Sequence, residues 1–157
     1  MNIRKAEEKD IDKILDLLLQ VLEVHASVRP DLFIHGATKY TRKELLHIIN
    51  EEPDRPIFVG VNEADEVLGY VFCEIKEQKA TNVIRPYRFI YIDDLCVDEK
   101  MRGQHVASAL FRFVAEEARK KGFYEINLNV WEGNDNARKF YETMGLKPMK
   151  TTMEYIL

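Results

Sequence analysis

The chain has 157 residues, of which 46% are hydrophobic and 32% charged, with a net charge of −4. This is the make-up of one folded domain over residues 1–157 with a sizeable core, and it excludes disordered and collagen-like chains. The acidic balance, with no strongly basic segment, argues against a nucleic-acid partner. No apolar run approaches the roughly 20 residues of a membrane span, so no membrane partner is expected. The start, MNIRKAEEKD, is charged and reads as no signal peptide, so a cytoplasmic location is expected. Cys73 and Cys96 lie inside apparent strands and belong to no CxxC, so free buried thiols are expected and no metal site.

In chain order, Ile3 to Ala6 predicts a short strand. Asp10 is positioned to cap a helix through about Val24, with Ile11, Ile14, Leu15, Leu18 and Leu22 as its apolar stripe. His25 to Tyr40 is irregular, broken by Arg29-Pro30-Asp31 and punctuated by Gly36. Thr41-x-x-Glu44 is a capping-box pattern that opens a second helix to about Asn50. Ile57 to Val61 and Val67 to Lys76 predict an antiparallel hairpin, and Gly69 inside its second strand points to a bulge or a close backbone approach. Phe89 to Val97 is the central strand, and a helix follows from Val106 to about Lys121, with Gly122 as its C′ residue. Tyr124 to Val130 alternates as a strand, Asn134 caps a helix from Asp135 to Met144, and Met149 to Leu157 predicts a closing strand. The fold class is α/β: a mixed, mostly antiparallel sheet with flanking helices, in the order β-α-α-β-β-β-α-β-α-β.

Two places carry chemistry. The first is the turn between the central strand and its helix. A helix N-terminus exposes unpaired N–H groups and the positive end of its dipole, which together bind phosphate, and Arg102 adds a forked donor. The second is the pair Asp93 and Asp94, in the middle of an otherwise apolar strand. Carboxylates there are costly unless solvated or paired. They are general-base candidates, or else they cap a bulge or pair with a cation.

Arg102-Gly103-Gln104-His105-Val106-Ala107, directly after a strand ending Leu95-Cys96-Val97, resembles the acetyl-CoA loop of the GNAT superfamily of N-acetyltransferases. Asn134-x-x-Ala137-x-x-x-Tyr141-x-x-x-Gly145-Leu146 resembles that superfamily's second signature, and the element order agrees over essentially the whole chain. The resemblance implies an acyltransferase that moves acetyl from acetyl-CoA, its cosubstrate, to a primary amine on a small molecule or on a peptide or protein. Transfer would be direct, within a ternary complex. The loop from Arg102 through Ser108 would hold the pyrophosphate, and the main chain of Leu95, Cys96 and Val97 the pantetheine arm. Asn134 and Ala137 would touch the cofactor, and Tyr141 would protonate the departing thiolate. Asn134 could equally serve as a helix cap alone, and Tyr141 as a core residue.

Tyr91-Ile92-Asp93-Asp94-Leu95-Cys96-Val97 is similar to the acid-acid strand of the superfamily's polyamine acetyltransferases, where the first acid is the base, which favours Asp93. One residue departs from the pattern: His105 stands where the family has its first required glycine. That keeps a non-catalytic acyl-CoA binding or sensing domain as the alternative. In this fold the first two helices and their connection shape the acceptor pocket. His25, Arg29, Asp31, Phe33 and Tyr40 lie there, with Tyr87 before the central strand. Arg29-Pro30-Asp31 is either an acceptor-recognition group or a turn that ends the helix. Relatives pair through sheet edges or the C-terminal strand, so a homodimer is among the expected partners.

Overall fold

The structure, a computed structural model, describes residues 1–157. Its elements are β1 (Asn2–Lys5), α1 (Ile11–Val28), α2 (Arg42–Glu51), β2 (Ile57–Val61), β3 (Val67–Gln78), β4 (Tyr87–Val97), α3 (Val106–Lys120), β5 (Glu125–Leu128) and α4 (Asp135–Thr143). The five strands form one sheet in sequence order, antiparallel from β1 to β4 and parallel between β4 and β5. A parallel pair needs a crossover, which α3 supplies.

Each face of the sheet carries its own core. On one face Ile11, Ile14, Leu17, Leu18, Leu45 and Ile48 of α1 and α2 pack on Val59, Tyr70, Phe72 and Cys96. On the other, Val106, Leu110, Phe111 and Val114 of α3 pack on Val71, Cys73, Ile90 and Ile92. The capping box at α2 forms as the sequence predicts: the Thr41 hydroxyl accepts from the Glu44 N–H, and the Glu44 carboxylate accepts from the Thr41 N–H at 2.7 Å. Such a cap contributes on the order of 1 kcal/mol. No helix is long and apolar enough to cross a membrane.

The mixed α/β class stands, and three local expectations do not. The first helix continues past Val24 to Val28, so His25 is helical rather than part of the irregular connection, and the chain breaks only at Arg29-Pro30. Asp10 makes no side-chain cap to α1. Its carboxylate instead takes the Arg4 guanidinium at 2.7 and 3.0 Å and the Glu7 N–H at 2.8 Å, because a short 3-10 turn precedes the helix. The closing strand over Met149–Leu157 does not form either, so the order ends at α4. Alternating apolar residues favour a strand only where a neighbouring edge satisfies the main chain. Here the tail makes no main-chain hydrogen bond to the four-residue β5, and Met149, Met153, Tyr155, Ile156 and Leu157 are exposed.

Candidate active site

The site begins with a slip in the register of β4. Phe72 pairs with Asp94, but the next residue of β3, Cys73, pairs with Ile92, so Asp93 is an extra, bulged residue. A bulge bends the strand and changes which side chains share a face. Ile90 and Ile92 face α3, and so do Leu95 and Val97, three and five residues past Ile92. Asp94 therefore joins Cys96, Tyr70 and Phe72 on the α1–α2 face. The β4–β5 ladder stops at the same level, with Ile92 and Leu128 as its last pair, while β4 runs on to Val97. From Asp93 to Val97 the strand is paired only on its β3 side. Its other edge is a row of free main-chain groups in a gap between two parallel strands. Gly69 permits this geometry: a Cβ there would lie 2.7 Å from the Cys96 carbonyl oxygen.

The two aspartates sit in different surroundings. Asp93 accepts from Lys39 Nζ at 2.7 Å and from the Tyr40 hydroxyl at 2.8 Å. The Tyr40 oxygen in turn accepts from Arg55 at 2.8 Å, and its ring stacks on Phe72. Asp93 is thus the carboxylate that pairs with a cation. Asp94 accepts from the Tyr70 hydroxyl at 2.8 Å. Asp94 is part-exposed as a residue, but its carboxylate sits deep, and burial pushes its pKa up to about 6. The Tyr70 hydrogen bond and the Lys39 charge pull it back, while the Asp93 charge adds to the rise.

Tyr141 lies on α4, which packs on the α3 side through Phe140 and Met144, and its ring meets that of Phe140 at 5.1 Å. Burial raises its pKa, and the Asp94 charge raises it further, so the phenol stays protonated at neutral pH. The structure therefore brings Asp94 and Tyr141 within electrostatic reach of each other. Asn134 caps α4 by accepting from the Ala137 N–H at 3.4 Å, so its side chain and the Ala137 N–H serve the helix.

At the start of α3, His105 is the N-cap residue with φ 61° and makes no side-chain cap. It adopts the left-handed conformation that glycine would take, at the usual cost for a residue with a Cβ. The first main-chain bond into this helix is Ala109 N–H to His105 C=O, which leaves the N–H groups of Val106, Ala107 and Ser108 without a helical partner. Gly103 also has positive φ, and Arg102, Gly103, Gln104 and His105 are exposed. A loop of exposed donors at a helix N-terminus, next to a free strand edge, fits the pyrophosphate and amide groups of acetyl-CoA. Leu95 and Val97 point into the α3-side core, and the Cys96 thiol donates to the Leu17 carbonyl at 3.4 Å. These three offer the gap their main chain only.

On the acceptor side, His25 packs on Phe33 at 5.2 Å and Phe33 on Trp131 edge-on at 5.5 Å. Arg29 lies 5.5 Å over the Trp131 ring and is forked onto Asp31 at 2.8 and 2.9 Å. Its remaining donor reaches Glu154 of the tail at 2.8 Å. Burial, and then the charge of Lys39, lowers the pKa of His25. Tyr87 does not belong to this group. It starts β4, packs on Phe89 and Tyr124, and lies six residues from Asp93, about 20 Å along the strand. Sequence reasoning missed Lys39, Tyr70 and Arg55. The first sits in an irregular loop; the other two, Tyr70 on β3 and Arg55 in the α2–β2 connection, need tertiary contacts around the bulge. One signal was present: the apolar spacing Ile90, Ile92, Leu95, Val97 breaks the period of two at Asp93 and Asp94.

A sheet that splits at a bulge carrying two adjacent carboxylates, beside a helix N-terminus with free donors, is the candidate site of this fold. The chain belongs to the acetyltransferase (GNAT) family, whose sequence pattern matches residues 19–146. It is similar to the thialysine N-epsilon-acetyltransferase of Bos taurus, 27% identical over 159 residues, which cover 94% of this chain and 84% of that protein. The chloroplastic GCN5-related N-acetyltransferase 6 of Arabidopsis thaliana is 30% identical over 87 residues, 55% of this chain but only 28% of that protein. A mutant of the BH1408 protein from Bacillus halodurans has the same fold, with a TM-score of 0.94 at 27% identity, over 100% of this chain and 99% of that one. The chain is an N-acetyltransferase of the GNAT kind, as the resemblance of its two motifs implies.

Proposed function

We propose that the enzyme passes acetyl from acetyl-CoA directly to a primary amine while both substrates are bound. The observation that carries this reading is the gap itself: the free main-chain edge of β4 from Asp93 to Val97 carries Asp94 and leads directly into the turn before the α3 N-terminus. Bound acetyl-CoA supplies the activated thioester. The α3 N-terminus and Arg102 receive its phosphates, and the β4 edge holds its amides in line. Asp93 docks the acceptor ammonium. Asp94 takes the proton, because a carboxyl at about 6 can hold a proton near neutral pH where an ordinary one cannot. The Tyr141 hydroxyl, kept protonated, gives its proton to the departing sulfur.

Direct transfer is also favoured by the thiols. Cys73 and Cys96 are buried, and burial pushes both up to about 12, so neither is an available nucleophile for an acyl-enzyme. The acceptor is an amine on a flexible stem, free or within a peptide. The name of the bovine relative, a thialysine N-epsilon-acetyltransferase, supports a lysine-like end. Arg29, aligned over Trp131, offers its guanidinium to an acceptor carboxylate when Glu154 moves off it.

The test is an acceptor screen of polyamines, aminoglycosides, amino acids and peptides, read as release of the CoA thiol. Release with at least one amine class, abolished by Asp94→Asn, is the expected result. Tight acetyl-CoA binding without release across the whole panel would overturn the reading in favour of a binding or sensing domain.

A further inference from the structure

The ammonium nearest the aspartate pair belongs to the chain itself. Lys39 Nζ lies 2.7 Å from Asp93 Oδ1 and 3.5 Å from the Asp93 carbonyl oxygen. It comes from the connection between α1 and α2, and its side chain is 43% exposed, so its stem is not locked in a core. Its partner carboxylate is the bulged residue at which β4 leaves β5 and the free edge begins. Lys76, the other lysine nearby, is held elsewhere: its Nζ pairs with Glu74 at 2.8 Å and lies 4.4 Å over the Tyr91 ring. Lys39 thus holds the position that the reading above gives to the acceptor amine.

We propose that Lys39 is an internal acceptor, and that the enzyme acetylates this side chain when acetyl-CoA is present without an external amine. The proposal rests on the direct-transfer reading. In the step, the ammonium gives a proton to the aspartate pair, and the freed Nζ lone pair forms a bond to the thioester carbonyl carbon. The carbon–sulfur bond breaks with its electron pair on sulfur, which takes a proton from Tyr141. The products are acetyl-lysine and CoA thiol: of the two protons the nitrogen loses, the first passes from the aspartate to solvent, and the second, shed once the carbon–nitrogen bond has formed, restores the Tyr141 hydroxyl. The acetylated side chain has no charge to hold it on Asp93, so the modification vacates that carboxylate for an external ammonium.

The experiment incubates the purified full chain with acetyl-CoA alone and follows intact mass, then maps the modified residue. One acetyl group on Lys39, with none on Lys76, is expected. The rate per chain is expected to be independent of protein concentration, because donor and acceptor share a molecule. Asp94→Asn is expected to slow incorporation about a hundredfold, the scale of a lost general base. Lys39→Arg keeps the charge on Asp93 and is expected to take up no acetyl group while still binding acetyl-CoA by thermal shift. Acetylation spread over surface lysines, a rate that rises with protein concentration, or an unmodified Lys39 would each overturn the inference. An unmodified Lys39 in an enzyme that still releases thiol with external amines would refute this inference alone. No release with any amine would refute the direct-transfer reading with it.

Discussion

Replacing Asp94 with asparagine separates what the carboxylate does for chemistry from what it does to the fold. Burial raises this carboxyl from 3.8 to about 6 in the folded chain. Below pH 3.8 it is protonated in folded and unfolded chains alike, and its contribution to stability is present in full. That contribution is lost as pH climbs through about 6, because the folded state must then hold a charge where burial opposes it. At roughly 1.4 kcal/mol for each tenfold in acid strength, the ionised group costs about 3 kcal/mol at pH 8. Asparagine keeps an acceptor oxygen for the Tyr70 hydroxyl and carries no charge. Asp94→Asn is therefore expected to stabilise the protein at pH 8 by up to about 3 kcal/mol, which is roughly 6–12 °C in Tm for a chain of this size. At pH 3, below both values, the variant and the parent are expected to melt together. Thermal unfolding at the two pH values reads this directly, and activity supplies the second half: kcat/KM of the parent falls below about pH 6, and the variant loses both that limb and most of its turnover. Equal stability changes at both pH values, or an acid limb that survives in Asp94→Asn, would refute the reasoning.

Four further outcomes follow from named contacts. Tyr141→Phe is expected to lower kcat by about a hundredfold while leaving acetyl-CoA affinity, measured by calorimetry, nearly unchanged, since the ring stays and only the proton donor goes. His105→Gly relieves a left-handed residue and is expected to stabilise the protein by less than about 1 kcal/mol in urea unfolding, with acetyl-CoA affinity unchanged or stronger; a large loss of affinity would show that the imidazole binds. Gly69→Ala forces a Cβ against the Cys96 carbonyl at 2.7 Å and is expected to cost about 1–3 kcal/mol of stability by the same measurement. Arg29→Gln is expected to raise KM about tenfold for acceptors that carry a carboxylate and to leave KM for plain diamines alone. A uniform rise for both would remove Arg29 from acceptor recognition.

Most of the fold was legible because its signals are local. The capping box at Thr41 and Glu44, the stripe of α1, and the turn residues around β2 and β3 each report a structure formed within a few residues. The cofactor loop was legible for the same reason, since strand, turn and helix N-terminus are contiguous in sequence. The assignment of roles to Asp93 and Asp94 was not, because it depends on partners 53 and 24 residues away, Tyr40 and Tyr70. Identical side chains acquire different chemistry from neighbours that no window of the sequence contains. Tyr87 lies apart from the other acceptor-side residues because it begins β4, six residues before the bulge, a separation that only the strand's full extent reveals. The tail over Met149–Leu157 has strand-like alternation, but no edge within the chain answers it.

The extra residue in β4 has a consequence for how such a strand can change. Without the bulge, a strand offers neighbouring residues to opposite compartments, so two adjacent acids could never serve one site. With it, β4 behaves as two half-strands of opposite phase joined at Asp93. Deleting that one residue would remove one carboxylate and close the ladder, with Ile92 opposite Cys73 and Asp94 opposite Phe72 as successive pairs, while Asp94, Cys96, Leu95 and Val97 each keep their present face. Point substitutions at Asp93 or Asp94 therefore change the chemistry and keep the bulge, whereas a single-codon deletion of Asp93 straightens the strand and leaves both cores in phase.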